Sequence, residues 1–119
     1  MTACEAAYLA GRAGIELADL IQVINMGNAR SYITEHRFPD HILSETWDAR
    51  SRVYNLHKDV GMAVHMADRL DAEVSLGRTT HAYLAEAIGR GMADTDFARI
   101  YPEFEKIAKA ANKKRPSNS

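Results

Sequence analysis

Between Val53 and Leu70 the chain repeats apolar residues at helical spacing: Val53, Leu56, Val60, Ala63, Val64, Ala67 and Leu70 fall on one face through about five turns. A stripe that long must be covered by other elements, and alternating runs of β-branched and aromatic residues that would build a sheet are missing. The expected fold class is therefore all-α, a single compact multi-helix domain. Of 119 residues, 46% are hydrophobic and 26% charged, enough for a chain of this size to bury roughly two-thirds of its unfolded surface without disulfides. Residues 1–112 are expected to form that domain, and 113–119, with Lys113, Lys114 and Arg115, a loose basic tail.

Around the central helix the breakers and caps predict further helices. Thr2 and Glu5 have capping-box spacing and open a first helix that ends at Gly11 or Gly14. Leu17, Leu20, Ile21 and Ile24 form a second, stopped in a left-handed turn at Gly27 and Asn28. Ser31 caps a third, carrying Tyr32, Ile33 and His36, which Pro39 ends. The stretch from Pro39 to Arg50 is the least regular. Ser51 caps the central helix, and the segment from Asp71 to Gly77 closes it. A helix from Thr79 or Thr80 buries Tyr83, Leu84, Ala87 and Ile88 and stops at Gly89, Arg90 and Gly91. Asp94 or Asp96 opens the last stretch, with Phe97, Ile100, Phe104, Ile107, Ala108 and Ala111 inward; Pro102 suits a first helical turn and implies two pieces or a kink.

Charge and composition narrow the function classes. Fifteen Lys and Arg against sixteen Asp and Glu leave a net charge of -1, so no broad positive field attracts nucleic acid or an anionic membrane. No window of ~18 apolar residues offers a spanning helix. One cysteine, Cys4, and no secretory-type leader point to a cytoplasmic setting. Cys4 sits among alanines beside Glu5 and reads as a small buried hydrophobe instead of a nucleophile. Glu35, His36, Asp40 and His41 cluster in sequence, but Pro39 interrupts them and the histidines are five apart, so no metal site is expected. His57, His65 and His81 form no ligand motif. Tyr54, Lys58, Met62 and His65 make a second stripe on the central helix, able either to line a cleft or to face solvent.

Several segments resemble one family in order. Glu5-Ala-Ala-Tyr-Leu-Ala-Gly-Arg-Ala-Gly14 resembles the "E-A-x-x-L-A-x-x-A-G" helix of the β-hydroxyacid dehydrogenases, the group that includes 3-hydroxyisobutyrate dehydrogenase and tartronate semialdehyde reductase. Asn25 to Ser31 is similar to its "N-x-x-x-x-R-S" turn, Leu56 to Ala63 to its "L-x-K-D-x-x-x-A" helix, and Gly91 to Phe97 to its "G-x-x-D-x-D-F" approach to the last helix. The likeness runs from residue 3 to about 110. It implies the C-terminal helical domain of 6-phosphogluconate dehydrogenase-like enzymes, a substrate-pocket and oligomerisation domain that works with a Rossmann domain binding NAD or NADP.

By that resemblance Lys58 and Asp59 are the cofactor-side residues: Lys58 beside the nicotinamide, Asp59 holding the turn around Arg30. Arg30 and Ser31 border the substrate pocket. No Gly-x-Gly-x-x-Gly follows a strand here, and the family's catalytic lysine and asparagine have no counterpart, so no catalytic residue, no bound cofactor and no turnover are expected of this chain alone. Glu73 to Gly77 also lacks the proline-containing loop usual in the family. A homodimer through the first helix is the expected assembly, with a Rossmann domain as the missing partner. The alternative is a free-standing helical interaction module without enzymatic activity.

Overall fold

The computed structural model describes residues 1–115, and these are all-α. The expected tail falls partly outside them: Lys113 ends the last helix, Lys114 and Arg115 are described, and residues 116–119 are not. Contacts divide the described residues into two units, one made of residues 1–50 and 98–104, the other of 51–97 and 105–115.

The first unit holds α1 (Thr2–Arg12), α2 (Leu17–Asn25) and a π-helix (Ile33–Leu43). α1 stops where Gly14 turns left-handed at φ 82°: Ile15 N–H reaches the Ala10 carbonyl and Gly14 N–H that of Gly11, the doubled bond of a glycine-terminated helix. The π-helix packs on α2 and buries Thr34, Phe38 and Ile42. Phe38 meets Tyr101 edge to face at 5.5 Å, and Tyr8 meets Phe104 at 5.7 Å, so the first turns of α5 (Ile100–Lys113) complete this core.

Three local expectations fail here. Thr2 is the first residue inside α1 and makes no capping bond; Met1 holds the cap position. α2 ends at Met26 in right-handed geometry, so no left-handed turn forms at Gly27. Pro39 does not end its helix, which continues to Leu43. In an ordinary α-helix the ring strikes the carbonyl four residues back; the wider π turn bonds five residues apart and gives it room.

The second unit is built on α3 (Val53–Arg69) packed along α4 (Ser75–Gly89), with the later turns of α5 adding Ile107 and Ala111. Tyr83, Leu84 and Ala87 are buried as their spacing predicts. α5 does come in two pieces, a 3-10 turn (Phe97–Arg99) and then the α-helix with Pro102 in its first turn. Ser51 does not cap α3. Its first amides are satisfied by distant carbonyls instead, Val53 N–H by Thr95 and Tyr54 N–H by Ala93, while Phe97 N–H returns to Ser51 and Arg52 bridges Asp96.

The stripe of α3 is only partly covered. Val53 and Ala67 are buried, but Ala63 is exposed and Leu70 is 70% accessible. Val60 and Val64 line an open groove of about 510 Å³ with Val74, Leu76 and Gly77. α4 also starts earlier than the threonines suggest, at Ser75, whose hydroxyl donates to Glu73.

Candidate functional site

Lys58 stands on the outer face of α3. Its side chain is 52% accessible, and its ammonium lies 3.4 Å from the carboxylate of Asp59, itself exposed. An ion pair between neighbours in water is worth little, so the ammonium is available to another acceptor. The stripe expected around it faces solvent: Tyr54, Met62 and His65 are all exposed. Arg52 covers the Tyr54 ring at 5.8 Å and pairs with Asp94 at 2.9 Å. Thus the "G-x-x-D-x-D-F" segment serves α3 directly, fixing the start of the helix that carries Lys58.

In the other unit Arg30 and Ser31 have separate tasks. Ser31 and Thr34 form a reciprocal box in which Ser31 N–H donates to Thr34 Oγ1 at 2.8 Å and Thr34 N–H to Ser31 Oγ at 3.3 Å. Asn25, at the end of α2, donates through Nδ2 to the Thr34 carbonyl at 2.8 Å; its buried Oδ1 has no partner among the described residues. Arg30 is left pointing outward, 61% accessible, with Glu35 at 3.5 Å. The turn motif therefore comprises two anchors, Asn25 and Ser31, and one projecting guanidinium.

Further arrangements join residues that spacing could not pair. His41 donates from Nδ1 to Asp48 at 2.7 Å, while Arg37 Nη1 lies 3.3 Å from its Nε2, an arrangement that fixes one imidazole tautomer. Thr46 bonds Asp48 as well, and these two bonds, Thr46 first, hold the carboxyl below its ordinary value. This loop is strained: Glu45, Trp47 and Arg50 all have positive φ, between 54° and 62°, and Arg99 lies over the Trp47 ring at 5.2 Å. On the α3–α4 seam the rings of His57 and His81 stack at 4.5 Å. Among the described residues no group of three or more His, Cys, Asp or Glu side chains is placed to hold a metal ion, and no helix is long and apolar enough to cross a membrane.

A family model described as "NAD-binding of NADP-dependent 3-hydroxyisobutyrate dehydrogenase" matches residues 1–104. The chain belongs to this family. It represents the family's C-terminal helical domain, and the family uses NAD(P) in its complete enzymes. A comparison with curated proteins finds no match. Lys58 is an accessible cation with a weakly held partner, and no glycine-rich strand-to-helix turn of the kind that holds a pyrophosphate occurs among the described residues.

Proposed function

We propose that this chain supplies the substrate-pocket and oligomerisation domain of an NAD(P)-dependent β-hydroxyacid dehydrogenase-like oxidoreductase, and that hydride chemistry requires a nucleotide-binding domain in addition. The coenzyme, when bound, supplies the hydride. Lys58 donates a hydrogen bond on the nicotinamide side, Arg30 offers a guanidinium to the substrate carboxylate, and Ser31 fixes the turn from which Arg30 projects; Asp59, expected to hold the turn around Arg30, instead pairs with Lys58, while Arg30 pairs with Glu35. The observation that carries this reading is the open setting of Lys58 on α3, in the position of the family's Lys-Asp pair. A cytoplasmic setting fits the same reading and a Cys4 without a disulfide partner among the described residues.

Titration of NADPH into the chain alone is expected to give no saturable fluorescence change. Fused behind a family nucleotide-binding domain it should bind, and Lys58→Ala should weaken that binding about tenfold, a hydrogen bond from a charged donor being worth roughly 1.5 kcal/mol or more. Saturable binding by the chain alone, or an unaffected Lys58→Ala fusion, would overturn the proposal.

A second reading, the free-standing interaction module, draws on apolar side chains left open on α1 and α2: Leu9 is 68%, Val23 67% and Met26 79% accessible. Both readings expect a homodimer through this surface, which sedimentation equilibrium of wild type and Leu9→Glu would detect as loss of the dimer in the variant. Only the fusion experiment separates them, since a module without the enzyme role gains no coenzyme affinity.

A further inference from the structure

The His57–His81 stack has no part in the reading above. The two rings come from facing helices, lie 4.5 Å apart and are within 16° of parallel. One turn after His57, α3 carries Gly61, and a Cβ there would come within 3.1 Å of His81 Nε2. The missing side chain lets the His81 ring approach the helix backbone. Glycine weakens a helix interior, so this close fit is the structural return on placing one there.

Neutral imidazoles tolerate such a stack; positive charge on the rings at this distance repels, and an imidazolium at His81 also loses hydration against α3. The surroundings supply no compensating acid. The titratable residues within one turn of His57 on α3 are Tyr54, Lys58 and Asp59, the last two facing each other at 3.4 Å; one turn from His81 on α4, Arg78 pairs with Asp68. Among the described residues neither ring has a carboxylate partner. Desolvation, and then the facing His57, hold His81 below the ordinary histidine value of 6.5.

We propose that the His57–His81 stack is an acid-sensitive latch on the α3–α4 seam, closed while the His81 ring is neutral against its partner and opened when His81 takes up a proton, so that mild acid loosens the helix face bearing Lys58. This inference does not depend on what binds at Lys58. The direction follows from linkage. Below 6.5 the unfolded or opened seam takes up protons that the closed one resists, so closure is complete above 6.5 and is lost as pH falls through the lowered value.

Amide hydrogen exchange of the full chain at about pH 7 and about pH 5, scaled for intrinsic rates, tests this directly. Protection in Asn55–Val64 and Thr79–Leu84 should fall several-fold on acidification while α1 and α2 keep theirs, and ring NMR should show His81 titrating below 6.5. His57→Gln, which removes the charge and retains bulk, should abolish most of the acid-induced loss; Gly61→Ala, which crowds the ring, should open the seam even near pH 7. The latch is refuted if acid raises exchange uniformly, if His81 titrates at or above 6.5, or if His57→Gln keeps the full wild-type response. Should His57→Gln fail to fold, the wild-type titration and exchange map decide the matter alone.

Discussion

Thr34 is 3% exposed and takes part in several bonds at once: its hydroxyl accepts from Ser31 N–H and donates to the Ser31 carbonyl, its N–H donates to Ser31 Oγ, and its own carbonyl accepts from Asn25. Replacing it with valine preserves shape but leaves the Ser31 amide without a partner. We expect Thr34→Val to lower the unfolding free energy by about 2 kcal/mol in urea titrations, and Thr34→Ser, which keeps the hydroxyl, by less than half of that. The direction also bears on the site, because Arg30 projects from the turn that Ser31 and Thr34 close. A variant whose stability is lowered through this box should therefore lose the Arg30 position as well, whereas Arg30→Ala should leave stability within about 0.5 kcal/mol, its side chain being exposed.

Helix ends separate what the chain's pattern shows from what it hides. α1 and α4 stop on glycine, Gly14 and Gly91, with the same doubled bonds; α3 makes those bonds too, Ala72 N–H to the Ala67 carbonyl at 2.9 Å, but places Asp71 in the left-handed position at φ 53°. A side chain there is strained by roughly 1–2 kcal/mol, while glycine gives back about 0.5–1 through the freedom of its unfolded chain. Asp71→Gly should thus stabilise by about 0.5–1 kcal/mol, seen as a rise in Tm. The glycine stops were readable because only glycine takes that geometry freely, and the α4 core was readable because Tyr83, Leu84 and Ala87 repeat at the helical period. The start of α3 was not, since its caps are carbonyls from Ala93 and Thr95, some forty residues away. Periodicity grouped Ala63 and Leu70 with the α3 stripe but says only which side chains share a face, not whether anything covers it. The same limit governs the candidate site: Lys58 was legible as a motif position, whereas the Asn25–Thr34 bond, the His41–Asp48 pair and the His57–His81 stack join residues whose sequence separation carries no signal.

Across the whole chain, the shifted groups set a pH range of stability. On the acid side His81 loses its contribution as pH falls below 6.5, and Asp48, whose carboxyl is held down by Thr46 and His41, loses its own as pH falls below 3.8 and through its lowered value. On the alkaline side the signs reverse. Burial pushes the Cys4 thiol above 9.0 and the Tyr101 phenol above 10.0, so the folded chain keeps both protonated while the unfolded chain releases them, and stability is lost as pH rises past those values. Tm should accordingly be flat between about 6.5 and 9 and decline on either side. Cys4→Ala isolates one limb. Removing the thiol deletes the proton that the unfolded chain would release first, so the variant should hold its Tm from pH 9 to 10 better than wild type and match its slope below 8. An identical alkaline slope in the two proteins would mean that Cys4 ionises as easily folded as unfolded, and that this thiol is an accessible one after all.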